Sequence, residues 1–377
     1  MTILFEHARK VDAAGQVDDF WMFVTDDTIA STGTGVGPAA DETVDVGGAW
    51  LTPGFLDLHS HGAGGYSYDD GPEAISAGLA VHRAHGTTRS VISLVTNPIP
   101  LLEASLAAIA GLVASDPLIL GSHLEGPYLS PARAGAHNPE LLRDPQPAEL
   151  DRLLDAARGT LRQLTIAPEL PNALELIQIL VENGVVVAIG HSEADFALAR
   201  TAFDAGARLL THAFNAMPGI GHRAPGPVVA AFEDDRITLE LILDGEHVHP
   251  DVAALVFRSA PGRVALITDA MAAAGGADGD YPLGSLTVEV HDGLAHIAGT
   301  DTLAGSTLTQ DRALLLAIER VGLEPRTAVE ALTLTPARVL GLEHRHGLLA
   351  PGFAADAVQL GSGWQVERVW ANGVVLR

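Results

Sequence analysis

Residues 53–62 read Pro53-Gly54-Phe55-Leu56-Asp57-Leu58-His59-Ser60-His61-Gly62. A short apolar run stops at two histidines two positions apart, and on an extended chain that spacing turns both imidazoles to one side, within reach of a single metal ion. Pro53-Gly54 also opens a new rhythm, in which short apolar runs alternate with segments of helical period. That alternation is expected of βα units stacked into a parallel sheet. Eight such runs follow, at 55–58, 90–95, 118–122, 163–167, 185–190, 208–211, 238–243 and 264–268. Helical patterns at 72–85, 101–114, 148–157, 172–183, 194–205, 251–259 and 307–321 fill most of the gaps, and the gap between runs six and seven is the weakest. Eight repeats over residues 54–345 match an α/β chain folded as a (β/α)8 barrel of the TIM type, ~250 residues before insertions. An open doubly wound sheet is the alternative.

Outside that span the pattern is β-like. Runs at 3–5 and 20–24 precede the barrel, and runs at 357–360 and 366–370 follow it, the last leading into the turn Asn372-Gly373. Residues 1–53 and 346–377 are therefore expected to build one small β-sandwich domain from both chain ends.

Composition limits the chemistry. Of 377 residues, 47% are apolar and 18% charged, a balance that excludes disorder. Lys and Arg number 22 against 47 Asp and Glu, a formal net charge of −25, so a broad nucleic-acid or anionic-membrane surface is excluded. No apolar run approaches the ~18 residues of a membrane span. Residues 1–10 carry Glu6 and no signal-peptide pattern, which makes the cytoplasm the expected location. There is no Cys, and there are 16 His, so imidazole and carboxylate are the metal ligands at hand.

Parallel barrels place their reactive groups just past the C-terminal strand ends. Run one ends in His59 and His61, run three in His123-Leu124-Glu125, run five in His191, run six in His212 and run eight in Asp269. Taken singly, each reads equally well as a hydrogen-bonded strand-end residue; five strands ending this way read as a metal site. Glu125 offers a carboxylate able to bridge two ions, and His191 and His212 offer nitrogen donors. One or two divalent ions are expected, zinc first, with iron, cobalt and manganese also compatible with such a set. His82 and His85, three apart on a helical pattern, read as surface or helix-packing residues, and His344 and His346 carry no site signal. The Ala-, Gly- and Asp-rich segment 271–281 reads as a lid or a surface excursion.

These stretches carry a resemblance over nearly the whole length. The opening decapeptide is similar to the amidohydrolase superfamily at large. Other stretches are more particular: His123-Leu124-Glu125-Gly126-Pro127, Gly135-Ala136-His137-Asn138, Gly190-His191-Ser192 and Thr211-His212-Ala213-Phe214-Asn215-Ala216-Met217. Asp244-Gly245-Glu246-His247, Thr268-Asp269-Ala270 and Leu303-Ala304-Gly305-Ser306 complete the set. Together they resemble the N-acetylglucosamine-6-phosphate deacetylase family, in which a Glu, here Glu125, takes the bridging position that a modified Lys holds elsewhere. The resemblance assigns Glu125, His191 and His212 to the metal site, and His59 with His61 to a second ion that some relatives lack.

The implied reaction is hydrolysis of the acetamide of N-acetylglucosamine 6-phosphate to glucosamine 6-phosphate and acetate, a step in amino-sugar catabolism or recycling. Asp269 is the candidate general base and also a candidate metal ligand. His137, in the Gly-rich loop after run three beside Ala136, is implied to hydrogen-bond the acetyl carbonyl as oxyanion charge develops. Asn215 and Ala216 follow His212 directly, and their polar groups are candidates for holding a phosphate or sugar oxygen. Arg223 and His247 are the candidate cations for the phosphate. The glycines of 219–226 give Arg223 reach toward a neighbouring subunit's site in a homodimer, the expected assembly. Leu303, Ala304 and Gly305 match a substrate-contacting loop. The competing readings are an amidohydrolase acting on another N-acyl amine or N-acyl amino acid, and a non-catalytic scaffold of the same fold.

Overall fold

The computed structural model describes residues 1–377. All eight apolar runs form strands: β1 (Phe55–Asp57), β2 (Thr87–Leu94), β3 (Ile119–Glu125), β4 (Leu161–Ile166), β5 (Val186–Ile189), β6 (Leu209–Leu210), β7 (Thr238–Ile242) and β8 (Val264–Ile267). They lie side by side in sequence order, and the registers from β2 to β8 are parallel. Just beyond β1 and β8, Ser60 and Ala270 form a parallel bridge. The Asp269 amide donates to the His59 carbonyl at 2.8 Å, and the His61 amide to the Ala270 carbonyl at 2.7 Å. The sheet is thereby a nearly closed barrel of the TIM type, and its closing seam runs through three of the histidine and aspartate positions singled out above.

Helices α1 (Pro72–Ala84), α2 (Ile99–Ser115), α3 (Pro147–Ala157), α4 (Ala173–Glu182), α5 (Phe196–Ala205), α6 (Gly226–Phe232) and α7 (Pro250–Ser259) occupy the successive gaps. On α2, buried Leu102, Leu106 and Ile109 repeat at spacings of four and three, the stripe that a helix turns toward a core. The weak gap holds α6. Its seven residues, Gly-Pro-Val-Val-Ala-Ala-Phe, are small or apolar on every side and mostly buried, so no amphipathic period marks it in the sequence. No helix is long and apolar enough to cross a membrane.

Two compact units emerge, one of Met1–Asp57, His82–Arg89 and Thr309–Arg377 and one of Leu58–Val81 and Ser90–Leu308. In the first, both chain ends share one eight-stranded mixed sheet. Trp50–Pro53 lies between the parallel strand Thr2–Asp12 and the antiparallel strand Ala357–Leu360, joining N- and C-terminal segments directly. Phe5 meets Trp370 edge-on at 5.0 Å in a core that includes Met22, Ile29 and Leu51. Asn372 and Gly373 both take positive φ between Val366–Ala371 and Val374–Val375, the two-residue hairpin that an Asn-Gly pair favours. Helices α8 (Gln310–Glu319), α9 (Pro325–Leu332) and α10 (Leu334–Val339) belong to this unit. His85 pairs with Asp311 of α8 at 3.0 Å, and His82 is buried on α1.

In the second unit, residues after 271 do more than make an excursion. Gly279–Leu283, Leu286–His291 and Leu294–Ile297 form a three-stranded antiparallel sheet whose Leu283, Val288, Val290 and Ala295 pack with Val95, Met271 and Ala304.

Candidate active site

Site residues sit where strands end. His191, His212 and Asp269 follow β5, β6 and β8 at once, and all three have positive φ, of 46°, 26° and 47°. Non-glycine residues rarely adopt this conformation, and it occurs preferentially where surrounding structure imposes it at functional sites. Its effect here is to turn each chain out of the sheet and its side chain onto the barrel axis. Gly305 lies against this turn with φ 59°, and a Cβ there would stand 2.9 Å from the Asp269 carbonyl, so the loop at 303–306 can approach only as glycine.

The side chains converge on Glu125. His191 and His212 place Nε2 at 3.2 and 3.1 Å from its Oε1 and 2.9 Å from each other. His61 Nε2 lies 3.1 Å from Oε2, and His59 Nε2 lies 3.4 Å from Oε1 and 3.1 Å from His61 Nε2. Asp269 Oδ1 is 3.5 Å from both His59 Nε2 and His61 Nε2. Two buried groups result, His59, His61, Glu125 and Asp269 on one side and Glu125, His191 and His212 on the other, with Glu125 common to both.

This donor set fits metal ions. Nitrogens facing each other at 2.9–3.1 Å approach the edge of a tetrahedron around a zinc-sized ion, ~3.3 Å for bonds of ~2.0–2.1 Å. His191 Nδ1–H donates to the Arg133 carbonyl at 2.9 Å, which leaves its Nε2 lone pair free to ligate. Charge agrees as well. Burial pushes Glu125 up, yet His59, His137 and His191 hold it well below the carboxylate range. Burial pushes His59 down, yet Glu125 and Asp269 hold it well above the imidazole range. Buried carboxylates this close together demand positive charge, which a divalent ion supplies.

Above the two groups opens a cavity of about 420 Å³, within the ~300–1,000 Å³ usual for small-molecule sites. His61, Glu125, His191, His212 and Asp269 line it, with Ala136, His137, Asn215, Ala216, His247, Leu303 and Gly305. His137 is neutral: burial pushes it down to about 4 against the pull of Glu125. Its Nδ1 accepts from the Thr96 amide at 3.3 Å, so the proton resides on Nε2, 3.3 Å from Glu125 Oε2. His247 differs. Burial lowers it, but Asp244 Oδ2 at 2.6 Å from Nδ1 outweighs burial and raises it, which favours the imidazolium form of a side chain that lines the cavity.

Three expected residues are not among those lining the cavity. Arg223 is exposed in the 219–226 loop, and Ala304 is buried in the apolar cluster beneath the three-stranded sheet. His59 lies below the cavity floor, fully buried. The structure also adds residues that the sequence reading passed over. Arg133, Asp301, Thr302 and Leu283 line the cavity. Asp244 is the partner of His247. His123 hydrogen-bonds Ser93 and Thr165 hydroxyls, each at 2.9 Å, inside the barrel. Glu240 lies there too; a lone acid in the apolar run Leu239-Glu240-Leu241-Ile242 was its signal.

Comparisons with known proteins agree with this geometry. The Amidohydrolase family model matches residues 50–376. N-acetylgalactosamine-6-phosphate deacetylase of Escherichia coli O157:H7 is 39% identical over 378 residues, covering 99% of each chain. N-acetylglucosamine-6-phosphate deacetylase of Bos taurus is 36% identical, covering 89% of this chain and 85% of its own. The chain belongs to the N-acetylhexosamine-6-phosphate deacetylases of the amidohydrolase superfamily. Solved members of this family superpose closely. A mutant of the N-acetyl-D-glucosamine-6-phosphate deacetylase of Mycobacterium smegmatis, in complex with N-acetyl-D-glucosamine-6-phosphate, is 42% identical with a TM-score of 0.94, covering 100% of this chain and 99% of its own. The Pasteurella multocida deacetylase is 28% identical with a TM-score of 0.95, covering 99% of each.

Proposed function

We propose that the protein hydrolyses the acetamide of N-acetylglucosamine 6-phosphate to glucosamine 6-phosphate and acetate. The observation that carries this reading is Glu125 shared between two imidazole–carboxylate groups in a cavity that His247, paired with Asp244, also lines. His191 and His212 would hold one divalent ion with Glu125; His59, His61 and Asp269 would hold a second with it. Ions bound there supply Lewis acidity, lowering the pKa of water toward neutrality and polarising the acetyl carbonyl. Asp269 takes the proton of the attacking water on Oδ and hands it to the leaving amine. His137 donates an Nε2–H hydrogen bond to the carbonyl oxygen as negative charge grows there, a role that suits a neutral imidazole with its tautomer set by Thr96.

His247 and the Asn215–Ala216 turn hold the sugar phosphate, and Leu303 and Gly305 bound the ring. Arg223 is exposed and does not line its own cavity, which supports its acting on a neighbouring subunit's phosphate in a homodimer. A second reading, preference for the galacto epimer, is favoured by the similarity to the Escherichia coli O157:H7 N-acetylgalactosamine-6-phosphate deacetylase, 39% identical over 378 residues.

The test is acetate release from both N-acetylhexosamine 6-phosphates, their unphosphorylated sugars and a panel of N-acyl amino acids, with metal content recorded. Release from the phosphosugars is expected, and the faster epimer chooses between the two readings. Release confined to N-acyl amino acids would overturn both. In the same assay Arg223→Ala should raise KM for the phosphosugar far more than for the free sugar, and equal losses would remove the phosphate role.

A further inference from the structure

The four candidate ligand histidines around Glu125, His59, His61, His191 and His212, are not backed alike. His191 leans on a backbone carbonyl, and Nδ1 of His61 and of His212 is buried without a hydrogen-bond partner. Only His59 is backed by a carboxylate. Glu240, on β7, points into the barrel interior and is fully buried. Its Oε2 lies 3.3 Å from His59 Nδ1, and its Oε1 accepts from Gln163 Nε2 of β4 at 2.9 Å. Neither partner is a fixed cation.

A carboxylate is an expensive occupant for a barrel interior that Leu or Val would fill, unless positive charge reaches it. Here that charge can arrive only through His59. With Oε2 accepting from His59 Nδ1–H, the His59 proton sits on Nδ1 and the Nε2 lone pair faces His61, Glu125 and Asp269.

We propose that Glu240 is a positioning residue for the second metal: it holds His59 as a ligand and decides whether the His59, His61, Glu125 and Asp269 group takes an ion of its own. The group formed by Glu125, His191 and His212 has no contact with Glu240 and is left to bind independently. The inference rests on the metal reading above. It also explains why a buried acid is tolerated, since an ion on Nε2 polarises the imidazole and strengthens the Nδ1–H bond to Glu240.

The test strips the protein with chelator and titrates it with zinc, following stoichiometry and affinity by calorimetry and elemental analysis. Wild type, Glu240→Leu and Glu240→Gln are compared. Wild type is expected to take two ions. Glu240→Leu should keep the first and bind the second about 10- to 100-fold more weakly. Glu240→Gln, which keeps an acceptor but not the charge, should fall between. Thermal melting supplies a second readout. The stripped Glu240→Leu protein should melt no lower than stripped wild type, because a buried charge is gone, whereas the loaded form should melt lower. A purely structural Glu240 would lower both.

Two ions bound by Glu240→Leu with unchanged affinity, or both ions lost together, overturn the inference, as does a single ion in wild type. No ion in wild type overturns the metal reading itself. Should Glu240→Leu fail to fold, the ¹⁵N shifts of His59 in zinc-loaded wild type decide: a proton on Nδ1 supports the proposal and a proton on Nε2 overturns it.

Discussion

Individual residues carry the chemistry through their immediate partners. Asp269 stands 3.5 Å from two imidazole nitrogens and on the cavity wall, placed to touch both an ion and a water. Asp269→Asn should keep the first ion yet lower turnover by at least ~10²-fold, the scale of general acid–base catalysis; kcat measured beside zinc content checks this. Near-normal turnover would leave the carboxylate a ligand only. Asp244 shows the same dependence at one remove. It raises His247, so the imidazolium proposed to hold the phosphate is complete at low pH and fades as pH rises through that raised value. In Asp244→Asn the cation fades at a lower pH. KM for the phosphosugar should then exceed wild type most, by up to about 10-fold, at pH values between the two titrations, the worth of one charge-assisted hydrogen bond, and by much less at pH 5.5. The motif Asp244-Gly245-Glu246-His247 was visible in the sequence, but the ion pair was not, because it needs a loop that folds Asp244 back over His247.

At the scale of elements, strand packing sets ligand geometry. Gly190 ends run five, immediately before His191, and a Cβ there would meet Thr211 Cβ at 2.6 Å and Thr165 Cγ2 at 2.9 Å. Gly190→Ala should therefore push β5 from its neighbours, costing ~1–3 kcal/mol by overpacking. Circular-dichroism melting reads that cost, and a weakened first ion in the zinc titration reads the displaced His191. A melting temperature equal to wild type would mean that the strands can part freely. Strands as elements were legible because each apolar run is bounded by turn residues. Helix α6 was faint because it is apolar all round. The three-stranded sheet over 279–297 was missed although Val288 and Val290 alternate with Thr287 and Glu289; that alternation is short, and nothing local says which surface will cover it.

For the molecule as a whole, one buried ion pair anchors the unit built from both termini. Arg89 clasps Asp356 at 2.7 and 3.0 Å and reaches Asn372 at 2.6 Å, and Asp356 also accepts from the Asn372 amide. Burial pushes Asp356 up, but His346 at 3.4 Å and Arg89 outweigh it and leave the carboxyl at about 2. A depressed carboxyl stabilises the fold above its unfolded value near 4 and loses that contribution as pH falls toward 2. The unfolding free-energy difference between wild type and Asp356→Asn, from urea titrations, should shrink by about 2 kcal/mol between pH 5 and pH 2. A pH-independent difference would mean that the pair is neutral in the fold. The sequence by itself determined the number and order of the barrel strands, the β character of both ends, and the ligand types at five strand termini, because apolar periodicity and strand-end position are local properties. Only the tertiary structure decided that Arg223 and Ala304 do not line the cavity, that Asp244 pairs with His247, and that Glu240 backs His59. The first two depend on how loops fold at the strand ends, and the last on which side chains from distant segments meet inside a nearly closed barrel, where a buried charge must find its partner across the fold.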